Sequence, residues 1–206
     1  METFDRKKHW ENIYQTKQLN EVSWFQPTPQ TSLDLIREFN LPLFAKIIDI
    51  GGGDSLLVDH LLDAGYDDIT VLDISEAAIE RAKSRLGERA GSVKWIVADA
   101  SGFKPSEKYD LWYDRAAFHF LTTAGEIESY LETARQCINP SGVLIIGTFS
   151  EQGPKKCSGL DIKQYSEETI TNLFEQGFVK IKCFTLDHRT PFDTIQNFIF
   201  CTFRRI

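Results

Sequence analysis

A glycine-rich segment directly after an apolar strand pattern constrains this 206-residue chain more than any other feature. Residues 47–50 read Ile-Ile-Asp-Ile, the pattern of a buried strand, and Gly51, Gly52 and Gly53 follow at once. Glycine lets the backbone turn sharply and approach a bound molecule closely. The segment therefore predicts a strand–turn–helix unit whose turn, beyond the carboxyl end of the strand, contacts a ligand.

Short β-rich runs alternate with helical patterns from residue 46 onward, which is typical of a mostly parallel, doubly wound sheet with helices on both faces. The last two strand patterns are joined only by residues 187–193, too few for a helical crossover, so the seventh strand should be antiparallel. The predicted strands are 46–50, 68–73, 93–97, 109–114, 143–149, 178–186 and 194–204. The predicted helices are 6–16, one after Pro29, 55–64, 76–86, 124–137 and 167–176.

These patterns predict one α/β domain over residues 1–206, with an N-terminal helical cap at 1–45 and the doubly wound core at 46–206. Aromatic residues concentrate in the cap, where Trp10 and Tyr14 are four residues apart and share one helix face. Trp24 and Phe25 follow in the link between the two cap helices. We expect these four rings to cluster, as a lining for a bound molecule or as the packing of the cap against the sheet.

Three acidic residues stand at predicted strand ends, where ligands of open parallel sheets bind. They are Asp49, Asp73 and Asp99. A carboxylate in the position of Asp73 can accept hydrogen bonds from both ribose hydroxyls, which also fits NAD. Two features disfavour an NAD-dependent oxidoreductase. Leu56 replaces the third glycine of the dinucleotide-binding motif, and Asp49 suits a cationic ligand better than a pyrophosphate.

The successive motifs resemble those of the class I S-adenosylmethionine-dependent methyltransferases, which have a seven-stranded Rossmann-like fold. The motifs are the Asp-x-Gly-x-Gly loop, residues 72–75, residues 98–100 and the fourth strand, so that the resemblance covers about residues 47–149. It implies that S-adenosyl-L-methionine is the cofactor and that the N-terminal cap covers it. The cofactor contacts that it implies are Trp24, Asp49, Gly51, Gly53, Asp73, Ile74, Asp99, Ala100 and Asp114.

The segment after the fourth strand, Asp114-Arg115-x-x-x-His119, resembles a bacterial group of these enzymes whose substrate is unassigned. Two later segments of the chain, residues 157–160 and 188–191, match the same group. We predict that His119 or His188 is a catalytic base where one is needed. For His119 the alternative is a packed helix residue.

The acceptor contacts are predicted to be Arg115, Cys157 and Arg189, because the loops that carry them reach the cofactor edge. The alternative for Arg115 is an ion pair with a neighbouring aspartate, and for Cys157 a plain loop residue. A pocket with two arginines and two histidines suits a small acceptor with a negative or polar group.

The formal charge of −7 lowers the expectation of nucleic-acid binding. The four cysteines lack zinc-site spacing, so we expect reduced thiols, no metal site and a cytoplasmic protein. The first residues lack an apolar signal core, and no apolar run reaches the length of a membrane span.

The sequence thus predicts methyl transfer from S-adenosylmethionine to a small molecule of unknown identity, without nucleic-acid or membrane partners. Three alternatives remain open at this point: a protein-lysine methyltransferase, an NAD-dependent oxidoreductase and a non-catalytic cofactor-binding module.

Overall fold

The computed structural model describes residues 4–206 and contains a seven-stranded sheet. The strands of this sheet are β1 (Ile47–Ile50), β2 (Ile69–Asp73), β3 (Val93–Val97), β4 (Tyr109–Arg115), β5 (Ile138–Phe149), β8 (Phe178–Arg189) and β9 (Ile195–Arg205). Two further strands, β6 (Lys156–Cys157) and β7 (Leu160–Asp161), form a separate small hairpin. The helices are α1 (Arg6–Thr16), α2 (Gln30–Arg37), α3 (Leu57–Asp63), α4 (Glu76–Leu86), α5 (Ala124–Cys137) and α6 (Glu167–Phe174).

The strand order is β3-β2-β1-β4-β5-β9-β8. The first five strands are parallel, whereas β9 runs antiparallel to both of its neighbours, β5 and β8. The predicted fold class and the antiparallel last strand are therefore confirmed. β1 and β4 are neighbours at the centre of the sheet, and the chain continues from β1 towards β2 on one side and from β4 towards β5 on the other. The carboxyl ends of β1 and β4 therefore flank the crevice where such sheets bind ligands.

The two faces of the sheet pack against different helices, as the alternation of side chains along a strand requires. Ile48 and Trp112 lie in a cluster with apolar residues of α5 and α6. Ile47 and Tyr113 lie in a second cluster with residues of α2, α3 and α4. The sheet is thus the middle layer of three, and its carboxyl edge is left free for a site.

Helix boundaries agree with the sequence predictions where a side chain caps the first turn. The hydroxyl of Ser75 accepts a hydrogen bond from the N–H of Ala78 at the start of α4. Thr123 and Glu126 form a reciprocal capping box at the start of α5. The bounds of α1, α4 and α5 match the predicted ones. Within residues 4–206, no helix is both long and apolar enough to cross a membrane.

Two strand boundaries differ from the predictions and matter for the site. β5 begins at Ile138, five residues earlier than predicted (143 − 138), because Ile138 pairs with Tyr109 across a register shift. β8 continues through His188 and Arg189, which pair with Gln196 and Ile195 of β9. The sequence had suggested that these two residues lie in the connecting loop, whereas the structure places both on a strand.

The cysteine prediction was wrong for two of the four residues. Cys183 and Cys201 are direct partners in the β8–β9 register and form a disulfide, with 4.2 Å between their Cα atoms. Their separation of 18 residues hid the pairing, because only the hairpin brings them together. Cys137 and Cys157 are free and buried.

Candidate active site

The glycine turn after β1 has the backbone conformation that only glycine adopts readily. Gly51 has φ +66° and Gly53 has φ +52°. A Cβ atom on Gly53 would lie 2.6 Å from the Tyr14 hydroxyl and 3.1 Å from a carboxylate oxygen of Asp73. A Cβ on Gly51 would lie 2.5 Å from the Ala117 methyl group. The turn is therefore closely covered by the cap and by the chain after β4.

A cleft of about 680 Å³, part of it open to solvent, lies beside this turn at the carboxyl edge of the sheet. It receives residues from the ends of β2, β3 and β4, from the cap and from the β6–β7 hairpin. The predicted site residues that line the cleft are Trp24, Gly51, Asp73, Ile74, Asp99, Ala100, Arg115 and Cys157. The sequence therefore identified a set of residues that the fold brings together.

Three rings of the cap form one wall of the cleft. The ring centres of Trp10 and Trp24 are 5.7 Å apart, and those of Tyr14 and Trp24 are 6.2 Å apart. Phe120, after β4, completes the cluster at 5.0 Å from Trp10. Phe25, predicted to join these rings, lines two neighbouring cavities instead. The cap thus presents aromatic faces, which attract cations.

Buried carboxylates face these rings. Burial raises the pKa of Asp73 to about 7, even though the N–H of Ser75 donates to its Oδ1 at 2.8 Å. Burial also raises the pKa of Asp49 well above its usual range, and the nearby carboxylates of Asp114 and Asp73 raise it further. Arg115 opposes this shift. Asp49 and Gly53 lie outside the lining of the main cleft; Asp49 borders a smaller adjoining cavity together with Trp24 and Gly51.

Asp99 is held by residues of the protein on both of its oxygens. Its Oδ1 accepts hydrogen bonds from the backbone N–H and the hydroxyl of Ser101, at 2.8 and 2.7 Å. Its Oδ2 lies 3.2 Å from Nη1 of Arg6, a cap residue that also pairs with Glu126. Asp99 therefore lines the cleft as half of an ion pair that ties the cap to the core.

Asp114 does not line the cleft, contrary to the cofactor contact that the resemblance implied. It is fully buried, and its oxygens accept hydrogen bonds from Ala117 N, Phe118 N and the hydroxyl of Tyr130, at 3.1, 3.1 and 2.8 Å. The chain turns here through Ala116 at φ +68°. Asp114 thus fixes the turn that carries Arg115 and Ala117 to the site.

Arg115 lies at the junction of three cavities. It lines the main cleft, the smaller cavity beside Asp49, and a third cavity of about 690 Å³ in front of β8 and β9. Its Nη1 donates to the carbonyl of Trp24 at 3.2 Å, and its guanidinium lies 4.9 Å from the centre of the Phe198 ring. The Nη2 atom is buried and has no hydrogen-bond partner among the described residues. The ion pair with Asp110 or Asp114 that was the alternative does not form.

His188 and Arg189 both line the third cavity. His188 is buried, and its Nε2 lies 2.8 Å from the carbonyl oxygen of Ser23, so this nitrogen is the donor. Burial lowers the pKa of His188, and Arg115 lowers it further. Arg189 is exposed and pairs with Asp193 across the turn.

His119 lies in the core and not in any of these three cavities. Its ring stacks on Phe149 with centres 4.4 Å apart, and neither ring nitrogen has a hydrogen-bond partner within residues 4–206. Burial lowers its pKa to about 3, so the ring is neutral at physiological pH. We therefore do not retain His119 as a catalytic candidate, because no acceptor in the described cavities can reach it.

Cys157 lines the main cleft at the end of β6. Burial raises the pKa of its thiol to about 11, so the thiol is protonated at neutral pH. It contributes a small apolar surface, and the prediction that it contacts the acceptor remains untested. No group of three or more His, Cys, Asp or Glu side chains within the described part of the chain is arranged to hold a metal ion.

Two residues of α1 contribute to the site and were missed by sequence reasoning. Arg6 lines the cleft, and the carboxylate of Glu11 accepts hydrogen bonds from Glu76 N and Ala77 N, at 2.6 and 3.1 Å, at the start of α4. A signal existed for Arg6, because residues 6, 10 and 14 fall on one helix face. No sequence signal pointed to Glu11, because its hydrogen-bond partners are 65 and 66 residues away in the sequence.

Comparison with known proteins shows similarity to methyltransferases. Residues 48–144 match the family model described as "Methyltransferase domain". A malonyl-[acyl-carrier protein] O-methyltransferase of Anoxybacillus flavithermus is 34% identical over 107 residues, which are 52% of this chain and 39% of that protein. The mouse eEF1A lysine and N-terminal methyltransferase is 26% identical over 145 residues, which are 70% of this chain but 20% of that protein. The chain thus spans well under half the length of these two curated relatives.

Among solved structures, the fold is similar to that of the N-methyltransferase NodS from Bradyrhizobium japonicum in complex with S-adenosyl-L-homocysteine. The TM-score is 0.76 at 17% sequence identity, over 98% of this chain and 99% of that one. The likeness extends over the whole architecture, including the cap and the β8–β9 hairpin.

Proposed function

We propose that this chain is a class I Rossmann-like methyltransferase, which transfers a methyl group from S-adenosylmethionine to a small-molecule acceptor. One observation carries the proposal: the carboxylate of Asp73 borders the main cleft together with the rings of Trp10, Tyr14 and Trp24, and Asp49 borders the adjoining cavity together with Trp24. Carboxylates and aromatic faces both attract cations. The cofactor brings two cationic groups, a sulfonium and an ammonium, to such a site.

The residues present fit this cofactor. The pKa of Asp49 is raised by burial and by neighbouring carboxylates, and no hydrogen bond from a described residue offsets this. A cation beside Asp49 would relieve that cost. Asp73 has one oxygen free of its Ser75 contact for the ribose hydroxyls, and the turn at Gly51 and Gly53 permits close approach of the backbone.

The chain's own residues act mainly by orientation and by exclusion of water. Bound S-adenosylmethionine would supply an electrophilic methyl group on a positively charged sulfur. Asp73 and the glycine turn would fix the nucleoside end, while Asp49 would hold the ammonium group. Asp114 holds the turn after β4 through three hydrogen bonds, so that Arg115 faces the same space. Correct placement of two reactants accounts for several kcal/mol of a typical barrier.

Asp99 and Ala100 remain proposed contacts of the adenine ring. They line the cleft beside Ile74, where β2 and β3 end. Since Arg6 and Ser101 already occupy the oxygens of Asp99, the adenine amino group would have to share or displace one of these donors. This arrangement couples the adenine end of the site to the position of α1.

Titration calorimetry with S-adenosylmethionine, S-adenosylhomocysteine and NAD tests the cofactor assignment. We expect micromolar binding of the first two and none of NAD. Asp73→Asn is expected to weaken S-adenosylhomocysteine binding by about 10- to 100-fold, because it removes an acceptor of two hydroxyl hydrogen bonds. Asp67→Asn, at an exposed position that lines none of the three cavities, is the matched control. Binding of NAD alone would reject the methyltransferase assignment in favour of an oxidoreductase.

The acceptor is proposed to be small because Arg115 and His188 border a recess in front of β8 and β9 whose empty space, open solvent included, is about 690 Å³. A protein-lysine acceptor stays the second candidate, since the mouse relative is named for it. Incubation with a labelled methyl donor, followed by separation of small molecules from protein, distinguishes the two. Label on protein alone would reject the small-acceptor proposal. We also propose that the protein has no nucleic-acid partner, in line with the net charge of −7. The cytoplasmic location that the sequence predicted stays a prediction, which the Cys183–Cys201 disulfide does not support.

A further inference from the structure

The guanidinium of Arg115 forms no salt bridge within the described residues, and the carboxylate of Asp49 acts on it only from beyond salt-bridge distance. Burial lowers the pKa of Arg115, which means that the charged form is penalised, and the charges of Tyr113 and Asp49 offset part of that penalty. Nη1 has one acceptor, the carbonyl of Trp24, and buried Nη2 has none. The Phe198 ring offsets part of the cost as a cation–π partner. An unpaired buried charge of this kind is expensive, and an anion brought by a ligand would complete it.

The third cavity, one of the three that Arg115 borders, shows what else that ligand carries. Its wall combines apolar side chains, namely Phe25, Pro27, Leu186, Phe198 and Phe200, with polar ones that include Thr28, Thr31 and Asp187. The apolar side chains suit the hydrocarbon or aromatic part of a ligand. A molecule that matches both features has an apolar body and a carboxylate. A guanidinium fork binds a carboxylate through two parallel hydrogen bonds.

The position of Arg115 also bears on which atom is methylated. Because the same guanidinium borders the main cleft and the acceptor cavity, an anion that it holds lies where the two cavities meet. His119 lies outside the cavities and cannot reach an acceptor. His188 borders the acceptor cavity, and because its Nε2 donates to the Ser23 carbonyl, its Nδ1 is the nitrogen left to accept a proton from a protonated acceptor. A carboxylate needs no base, since it is already ionised at neutral pH.

We propose that the acceptor is a small carboxylic acid with an apolar body, that Arg115 holds its carboxylate, and that this carboxylate is the group methylated. The inference rests on the proposed function, because it requires the sulfonium donor. In the step, a carboxylate oxygen forms a bond to the methyl carbon while the sulfur–methyl bond breaks and its electron pair returns to sulfur. One negative and one positive charge are lost, and no proton is released. The products are a neutral methyl ester and a neutral thioether.

The charge balance gives the arrangement a further property. The acid enters as an anion that pairs with Arg115, whereas the ester leaves as a neutral molecule that no longer does. Binding therefore favours substrate over product at the same residue. Product inhibition by the ester is expected to be weak compared with competition by a non-methylated acid.

The first experiment uses benzoate, phenylacetate, cinnamate and octanoate, each beside its primary amide, with a labelled methyl donor. A methyl ester releases labelled methanol on mild alkaline hydrolysis, whereas N-methyl, S-methyl and C-methyl products do not. We expect alkali-labile label from at least one acid and none from any amide. Alkali-stable label, or no label from any acid by a protein that binds S-adenosylhomocysteine, would overturn the inference. Failure to bind S-adenosylhomocysteine would instead overturn the proposed function.

The second experiment asks whose carboxylate Arg115 holds. Arg115→Met and Arg115→Lys are compared with Arg89→Gln, which alters an exposed arginine paired with Asp63. We expect ester formation to fall at least 100-fold in Arg115→Met and less in Arg115→Lys, which keeps the charge. The affinity for S-adenosylhomocysteine should change less than threefold in both, and an unchanged melting temperature is the separate check that each variant is folded. An equal loss of cofactor affinity would assign Arg115 to the cofactor's own carboxylate and reject the inference.

Discussion

Arg6 of α1 forms an ion pair with Asp99 after β3, with 3.2 Å between Nη1 and Oδ2, across 93 residues of sequence. The same guanidinium contacts Glu126 at the start of α5. A single cap residue thus joins two elements of the core above the cleft. Its partner is the carboxylate that the sequence predicted as an adenine contact, so cap position and cofactor binding share one side chain.

Replacement of Arg6 should weaken cofactor binding through the cap. We expect Arg6→Met to raise the Kd for S-adenosylhomocysteine about three- to tenfold and to speed proteolysis within α1. The expected rise in Kd is no larger than this because partly exposed ion pairs contribute about 1 kcal/mol or less. Lys83→Met, which breaks an exposed pair with Glu80, is the control. A double-mutant cycle with Asp99→Asn measures the coupling, and additive effects would argue against a shared role.

Gly53 should not tolerate a side chain. Gly53→Ala places a methyl group 2.6 Å from the Tyr14 hydroxyl at a positive φ, so both crowding and backbone strain oppose it. We expect a loss of about 1–3 kcal/mol of stability and at least a tenfold weaker affinity for S-adenosylhomocysteine. Gly159 also has a positive φ but has open space around it, so Gly159→Ala measures the cost of backbone strain without crowding. Equal effects in the two variants would exclude crowding by Tyr14.

Cofactor affinity should rise with pH through neutrality. Asp73 has a pKa of about 7, raised above its unfolded value of 3.8, so its protonated form stabilises the free fold and this contribution is lost between about pH 4 and pH 7. A ligand that requires the carboxylate must first displace the proton. We expect tighter S-adenosylhomocysteine binding at pH 8 than at pH 6, with proton release visible in buffers of different ionisation enthalpy. Asp73→Asn should remove most of this pH dependence.

His119 should be dispensable for catalysis and unfavourable in acid. Its pKa of about 3 lies below the unfolded value of 6.5, so stability falls as the pH drops from about 6.5 towards 3. His119→Leu removes two buried nitrogens without partners. We expect unchanged methyl transfer and a higher melting temperature than wild type at pH 4.5. A large loss of activity in a folded His119→Leu protein would restore the catalytic interpretation.

The β8–β9 disulfide should stabilise the hairpin that forms one wall of the acceptor cavity. A crosslink over 18 residues corresponds to about 3 kcal/mol in the loop-entropy estimate. We therefore expect a lower melting temperature after reduction and in a Cys183→Ser, Cys201→Ser protein. Thiol titration of the unfolded, unreduced chain should give two reactive cysteines. Four would mean that the pair is reduced in solution.

Local sequence signals predicted the helices, strands and turns around the site well, because residues within or next to each element determine where it begins or ends. Ser75 and Thr123 are capping residues that fix the starts of α4 and α5, and the glycine turn ends β1 without help from distant residues. The acids at strand ends follow from the same topology. That is why Asp73 and Asp99 line the cleft as predicted.

The failures concern residues whose environment depends on distant parts of the chain. Asp114 lies one residue before the end of β4 and His119 follows shortly after that end, where polar residues usually face a ligand, yet both side chains are fully buried. His188 and Arg189 look like loop residues until their pairing with β9 is known. Cys183 and Cys201 become neighbours only in that register. No local pattern reveals such long-range relationships.

The contact of Glu11 with the first turn of α4 has a consequence for how the protein assembles. The first backbone N–H groups of a helix have no partners within it, and here a side chain from the cap supplies them. This turn directly follows Asp73. The start of α4 is therefore completed only after the N-terminal segment has docked, and we expect the sheet to form before the nucleoside end of the site. Deletion of α1 would then leave a folded sheet that has lost its binding competence, with fast amide exchange confined to residues 76 and 77.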